Sequence, residues 1–208
     1  MRLTNRFPLM PVILLIALII CSAYLVSQLI SKKDEPAQQV ISNVNYINST
    51  SFDISSDSTD LKTSAKGTVF VQGKEGIADR VSIVAAIEID PKDWGGISFY
   101  IPNHWAVASV MNSYPGNNPD VNPSNHLVIL NNTDPNSDWK TWVEIGRDSS
   151  YRPTGGGQGT VVIDLEYAAH DEPMSETFEF MVSVGSKEQD GIKAVGPDYD
   201  TFSVSLTP

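Results

Sequence analysis

Apolar and polar residues fall into three regimes along the chain. From Leu9 to Ile30 the sequence runs LMPVILLIALIICSAYLVSQLI, 22 residues without a charge. As a helix rising about 1.5 Å per residue it reaches about 33 Å, enough to cross a hydrocarbon core about 30 Å thick. Pro8 and Pro11 stand in or before its first turn, where a missing N–H costs little. Residues 31–66 are rich in Ser, Thr, Asn and Asp, as in Ser55-Ser56-Asp57-Ser58-Thr59-Asp60. Such a stretch buries too little apolar area to offset the entropy of ordering it. It is expected to be linker, except that Val40, Ile41, Val44, Tyr46, Ile47, Phe52 and Ile54 could supply one early strand.

From Gly67 onward the period is two, the signature of strands with one buried face. Val81, Ile83, Ala85, Ile87 and Ile89 share a face, with Ser82 and Glu88 on the other. Strands are likewise expected around Val69–Gln72, Ile97–Ile101, Val107–Met111, His126–Leu130, Trp139–Ile145, Gly159–Tyr167, Phe178–Val184 and Phe202–Leu206. Turn-forming clusters separate them: Asp90-Pro91-Lys92-Asp93, Tyr114 to Asn125, Asp134 to Asp138, Pro153 to Gly157, Asp190-Gly191 and Gly196-Pro197-Asp198. No amphipathic helix interrupts the series. Eight or nine short strands punctuated in this way predict an all-β, Greek-key β-sandwich preceded by one N-terminal transmembrane helix. The expected organisation is a membrane anchor over 1–33, a polar linker over 34–64 and the sandwich over 65–208.

The only cysteine, Cys21, lies in the apolar segment, so the sandwich is held by its core rather than by disulfides. The anchor has three readings. Its length favours an uncleaved signal anchor. Cys21 and Ala23 have the spacing of a secretory signal cut after Ala23, although apolar residues continue through Ile30. Acylation of Cys21, as in a lipoprotein, is the third; bulky Ile20 ahead of it speaks against that. Arg2 and Arg6 on one side balance Lys32 and Lys33 on the other, so the flanking charges barely set orientation. The long acidic domain is expected outside the cytoplasm, making this a single-pass protein of the cell membrane. Past residue 33 the chain carries ten basic and 25 acidic residues, a net −15. That excludes nucleic acid as a partner, since phosphate binding needs a basic footprint.

Ile97-Ser98-Phe99-Tyr100-Ile101-Pro102 after a Gly-Gly turn, then Trp105-Ala106-Val107-Ala108-Ser109-Val110, resembles the early strands of cohesin-like modules. Gly159-Thr160-Val161-Val162-Ile163-Asp164-Leu165 resembles a later strand of such modules. These are bacterial and archaeal surface β-sandwiches that bind protein or carbohydrate partners. The resemblance spans 81–206 and rests on strand patterning. It implies an immunoglobulin-like or cohesin-like sandwich with a binding role at a cell surface.

Catalytic constellations are sparse. His104, His126 and His170 have no paired spacing, and neither H-E-x-x-H nor C-x-x-C occurs. No serine sits in G-x-S-x-G. Gly155-Gly156-Gly157-Gln158-Gly159 lacks the Lys-Ser/Thr of a phosphate loop and precedes a strand. Glu144, Asp164, Glu166 and Glu179 could form a glycosidase pair only if two of them lay about 5–10 Å apart; the alternative is a solvated outer face. Asp134, Asn136 and Asp138 place oxygens at alternate positions, as in calcium loops, but Trp139 stands where an EF-hand needs glycine. A structural calcium there is the one cofactor this pattern allows. The Asn48 and Asn131 sequons matter only in a glycosylating host.

Aromatic residues near strand ends are the stronger signal, because exposed ring faces serve sugars and partner side chains alike. Trp105, Tyr114, Trp139 and Tyr151 are the candidate binding residues, with burial in the core as the competing role. The expected function is that of a non-enzymatic, membrane-anchored binding module recognising carbohydrate or protein outside the membrane. The alternatives are a structural or assembly subunit pairing with another membrane protein, and a hydrolase whose site is dispersed in sequence.

Overall fold

The computed structural model describes residues 45–75, 77–116, 122–134, 136–168 and 177–206. Among them no helix is long and apolar enough to cross a membrane. The expected anchor, Leu9–Ile30, lies outside the described residues, as does His170.

Ten strands form two antiparallel five-stranded sheets packed face to face. They are β1 (Tyr46–Ser55), β2 (Ser64–Lys74), β3 (Ile77–Ile89), β4 (Ile97–Pro102), β5 (Trp105–Asn112), β6 (Leu127–Asn131), β7 (Trp139–Ile145), β8 (Gly157–Tyr167), β9 (Thr177–Gln189) and β10 (Ile192–Ser205). The first sheet runs β1-β2-β3-β8-β5, the second β10-β9-β4-β7-β6. One short 3-10 turn, Pro123–His126, leads into β6, so His126 ends a turn rather than starting a strand.

Each strand folds as its period dictates. The inward residues of β3, Val81, Ile83, Ala85, Ile87 and Ile89, are buried, and those of β8, Val161, Ile163 and Leu165, lie opposite on the same face. Ile97, Phe99 and Ile101 of β4 meet Val143 and Ile145 of β7 and Phe180, Val182 and Val184 of β9. These two layers make one core, where each fully buried aliphatic or aromatic side chain contributes about 1.5–3 kcal/mol.

The sandwich begins ahead of residue 65, with the one early strand that Tyr46, Ile47, Phe52 and Ile54 could supply. Polar residues occupy one face of β1, but Phe52 and Ile54 on the other are buried. The Phe52 ring stacks on Phe202 of β10 at 5.0 Å and meets Phe99 of β4 edge-on at 6.3 Å. Its β2 partner is Gly67, where a Cβ would come within 2.6 Å of the ring. Two apolar anchors and one accommodating glycine are enough to order a strand whose composition is otherwise that of a tether. Phe52→Ala is expected to cost about 3–5 kcal/mol. Amide exchange should then quicken first in β1 and β2; uniform quickening across all ten strands would contradict this local role.

The crossing from β3 to β4 carries the principal buried polar cluster. Asp93 is fully buried; its Oδ2 accepts from Thr63 Oγ1 at 2.5 Å. Its Oδ1 accepts from Ser186 Oγ at 2.5 Å and from the Gly95 N–H at 2.8 Å. Thr63 Oγ1 in turn accepts the Asp90 N–H, and Ser186 Oγ the Trp94 N–H. One carboxylate thus ties the β1–β2 loop, the β3–β4 turn and β9 together.

Candidate functional site

The four candidate aromatics do not form one platform. Trp105 is fully buried, wedged edge-on between Tyr167 at 5.5 Å and Phe178 at 5.6 Å. It lies on the inward face of β5 because Trp105 pairs with Tyr167 at the end of β8, where the sheets close over it. Tyr114 is fully buried as well; its hydroxyl hydrogen-bonds Thr154 Oγ1 at 3.1 Å and its ring meets His126 edge-on. Burial raises the Tyr114 phenol above its ordinary pKa, partly offset by the Thr154 hydrogen bond, so it stays neutral. Of the candidate binding residues, Trp105 and Tyr114 thus take the competing role, burial in the core. Trp139 is half-buried on the outer face of the second sheet. Tyr151 is exposed and meets Trp94 edge-on at 5.1 Å, with the Lys193 ammonium 5.0 Å from the Tyr151 ring centre and 5.9 Å from that of Trp94.

The polar candidates are engaged in turns and ladders. Asp134 Oδ1 accepts from the backbone N–H of Asn136 at 2.9 Å and from its amide at 3.4 Å, closing a local turn. The Asp138 carbonyl accepts from the Asn103 N–H. Asp164 accepts from Ser82 and Ser109 on the two flanking strands. Glu166 lies 3.5 Å from Arg80, and Glu144 pairs with Arg147. No group of three or more His, Cys, Asp or Glu side chains is placed to hold a metal among the described residues. An open depression of about 470 Å³, lined by Phe52, Gly67, Thr68, Phe70 and Val84, lies along the first sheet.

Large apolar side chains are exposed at both ends of the sandwich: Tyr46 on β1 and Ile192 and Tyr199 on β10 at one, and residues of β5 and β6, the last strands of their sheets, at the other. Val128, Ile129 and Leu130 of β6 are 41%, 45% and 37% exposed, and Met111 of β5 is 60% exposed. Leu130 lies opposite Trp142 on β7, and Trp142 opposite Tyr100 on β4, whose ring meets those of Trp142 and Trp139 edge-on at 6.0 and 6.1 Å. Tyr100 in turn lies opposite Met181 on β9. A band of large apolar side chains thus crosses the outer face of the second sheet and ends at β6.

Proteins blunt sheet edges with charges, prolines, bulges or short strands. At the far end, β10 carries Lys193, Pro197, Asp198 and Asp200 and a break in register between Val195 and Asp198. Strand β1 carries Asp53 and three serines. Strand β5 has a break in register between Val107 and Ser109. Strand β6, Leu127-Val128-Ile129-Leu130-Asn131, has no charge, no proline and no break; its only protection is its five-residue length.

The backbone of β6 is open on one side. Gly146 donates to the His126 carbonyl at 2.9 Å and Asn132 to that of Lys140 at 2.7 Å. The alternation of an antiparallel ladder then turns the N–H and C=O of Val128 and Leu130 toward β7, and those of Ile129 and Asn131 away from it. Among the described residues no strand pairs with that outer side. The sequence pattern predicts a strand here but not its place at the edge of a sheet. The available signal was an apolar run without alternation, which a half-buried edge strand does not need.

No protein-family model matches the chain, and no curated protein matches it in sequence.

Proposed function

We propose that this is a membrane-anchored binding module, without catalytic activity of its own, that holds its β-sandwich outside the cytoplasm and recognises a protein partner by strand addition at β6. The observation that carries the reading is the bare apolar edge of β6, with outward-facing backbone groups at Ile129 and Asn131. Strand addition uses such groups for affinity and flanking side-chain pockets for specificity. The Tyr100–Trp142–Leu130 band supplies the adjoining apolar surface. The 22 uncharged residues from Leu9 to Ile30 support the anchor. The cohesin-like strand pattern supports a surface role.

Carbohydrate recognition is less favoured. The aromatic pair of half-buried Trp94 and exposed Tyr151 stands at an interplanar angle of 77° and so offers no flat platform, and the Lys193 ammonium already sits over both rings.

Photo-crosslinking in the producing cell's membranes tests the proposal. A benzophenone amino acid at position 129 should yield a discrete adduct larger than the chain, and the same probe at Ser51 on β1 should not. Equal adducts at both positions, or none at 129, would overturn recognition through β6.

A further inference from the structure

The chemistry of β6 also identifies what it pairs with. We propose that the partner is a second copy of this chain, joined by antiparallel β6–β6 pairing about a two-fold axis at Ile129, so that the two second sheets merge into one. This rests on the strand-addition reading and specifies its partner.

The strand is self-complementary in that register. Ile129 faces Ile129 of the second copy, Val128 faces Leu130, and Leu127 faces Asn131, so every apolar residue inside the pairing except Leu127 meets an apolar residue. The backbone matches too. The outward N–H and C=O of Ile129 exchange two hydrogen bonds with their symmetry mates. The outward N–H of Asn131 meets the outward carbonyl of Leu127, giving two more. The Leu127 N–H is already donated to the Ser124 carbonyl within the 3-10 turn, so it is neither needed nor left bare. Val128 and Leu130 of both copies would extend the Tyr100–Trp142 band across the axis on one outer face.

Charge permits the approach although the copies are acidic. No residue from Leu127 to Asn131 is charged. The nearest β7 carboxylate, Glu144, is already paired with Arg147. Its symmetry mate would lie three strand spacings away, about 14 Å, beyond the roughly 8 Å screening length of physiological salt.

The contact is small. Five residues a side fall well short of the roughly 800 Å² per partner of a standard interface. The pairing is therefore of the transient kind in free solution, and confinement of both copies to one membrane raises its occupancy.

Disulfide trapping reads out such pairing. In the full chain carrying Cys21→Ser, reconstituted in lipid vesicles, Ile129→Cys should give a product of twice the chain mass on a non-reducing gel. A two-fold hydrogen-bonded pair has its Cα atoms about 5.5 Å apart, inside the range a disulfide spans. Asn131→Cys alone should not, because its own symmetry mate lies roughly 13 Å away, beyond a disulfide's reach. A mixture of Leu127→Cys and Asn131→Cys chains should crosslink, and it tests the same register with Ile129 intact. Ser51→Cys on β1 sets the background. The proposal is overturned if neither Ile129→Cys nor the mixed pair exceeds that background, or if Asn131→Cys alone crosslinks as well as Ile129→Cys. Should trapping fail while the probe at 129 still yields an adduct of another mass, the second copy is rejected and strand addition to a different protein stands. Failure of both removes both.

Discussion

Trp105→Ala is expected to lower the stability of the sandwich by about 3–5 kcal/mol, the cost of deleting a large aromatic from a packed core. The indole is fully buried between Tyr167 and Phe178, and both contacts are edge-on at 5.5–5.6 Å. Deleting it removes the transfer energy of the ring and leaves a cavity that two aromatic neighbours on different sheets cannot both collapse into. In a chain of this size each kcal/mol moves the melting temperature by about 2–4 °C, so a drop on the order of 10 °C follows. Among the described residues the indole Nε1–H has no hydrogen-bond partner, so the loss comes from packing. Thermal unfolding of the two proteins checks this. A melting temperature unchanged within 2 °C would show that position 105 is not core, and would restore it as a surface residue. Tyr151→Ala is the contrast: it gives up only a surface edge-on contact and a cation–π contact, together less than about 2 kcal/mol.

The contrast between Trp105 and Tyr151 shows what a linear pattern conveys. Period-two alternation in β3, β8 and β9 was legible because both sheets bury one face. The side of each strand taken by Val81, Ile83 or Phe180 follows from parity alone. The depth of an aromatic does not. Trp105 and Trp139 begin strands and Tyr151 stands in the β7–β8 loop, yet one is core, one half-buried and one exposed. Their burial depends on which strand crosses above them, and that is a property of topology. Strand β1 was half-legible for a related reason. Phe52 and Ile54 announce a strand, while the serines around them announce a tether, and only the ring of Phe202 from the other end of the chain decides between the two. Strand β6 inverts the problem. Its apolar residues point to both faces, as in a strand with neighbours on every side, but it stands at an edge. That mismatch between composition and position is the physical ground for assigning it a partner.

Asp93→Ala is expected to cost about as much as Trp105→Ala, through a different route. The carboxylate accepts from three groups, Thr63 Oγ1, Ser186 Oγ and the Gly95 N–H, in a site closed to solvent. Alanine would leave those donors to find other partners. A buried donor stranded in this way costs about 1–3 kcal/mol, and removing one member of a buried charged network costs about 3–5 kcal/mol. The two hydroxyls can rotate and recover part of the loss; the Gly95 N–H is fixed by the backbone. Asp93→Asn separates the contributions. Its carbonyl oxygen can still accept from Gly95 and Ser186, while the amide faces Thr63 Oγ1, which already accepts the Asp90 N–H and would have to turn its own proton elsewhere. The expected order of stability is wild type, then Asn, then Ala, measured by denaturant unfolding with unchanged slope. Equal stability of the Asn and Ala variants would mean that the backbone donor contributes little and that the cluster acts through its Thr63 bond alone. In the Ala variant, amide exchange should quicken at Gly95 and along the 56–63 loop before it does at Ile129. Loosening at β6 first would show instead that the free edge and the Asp93 cluster belong to one cooperative unit.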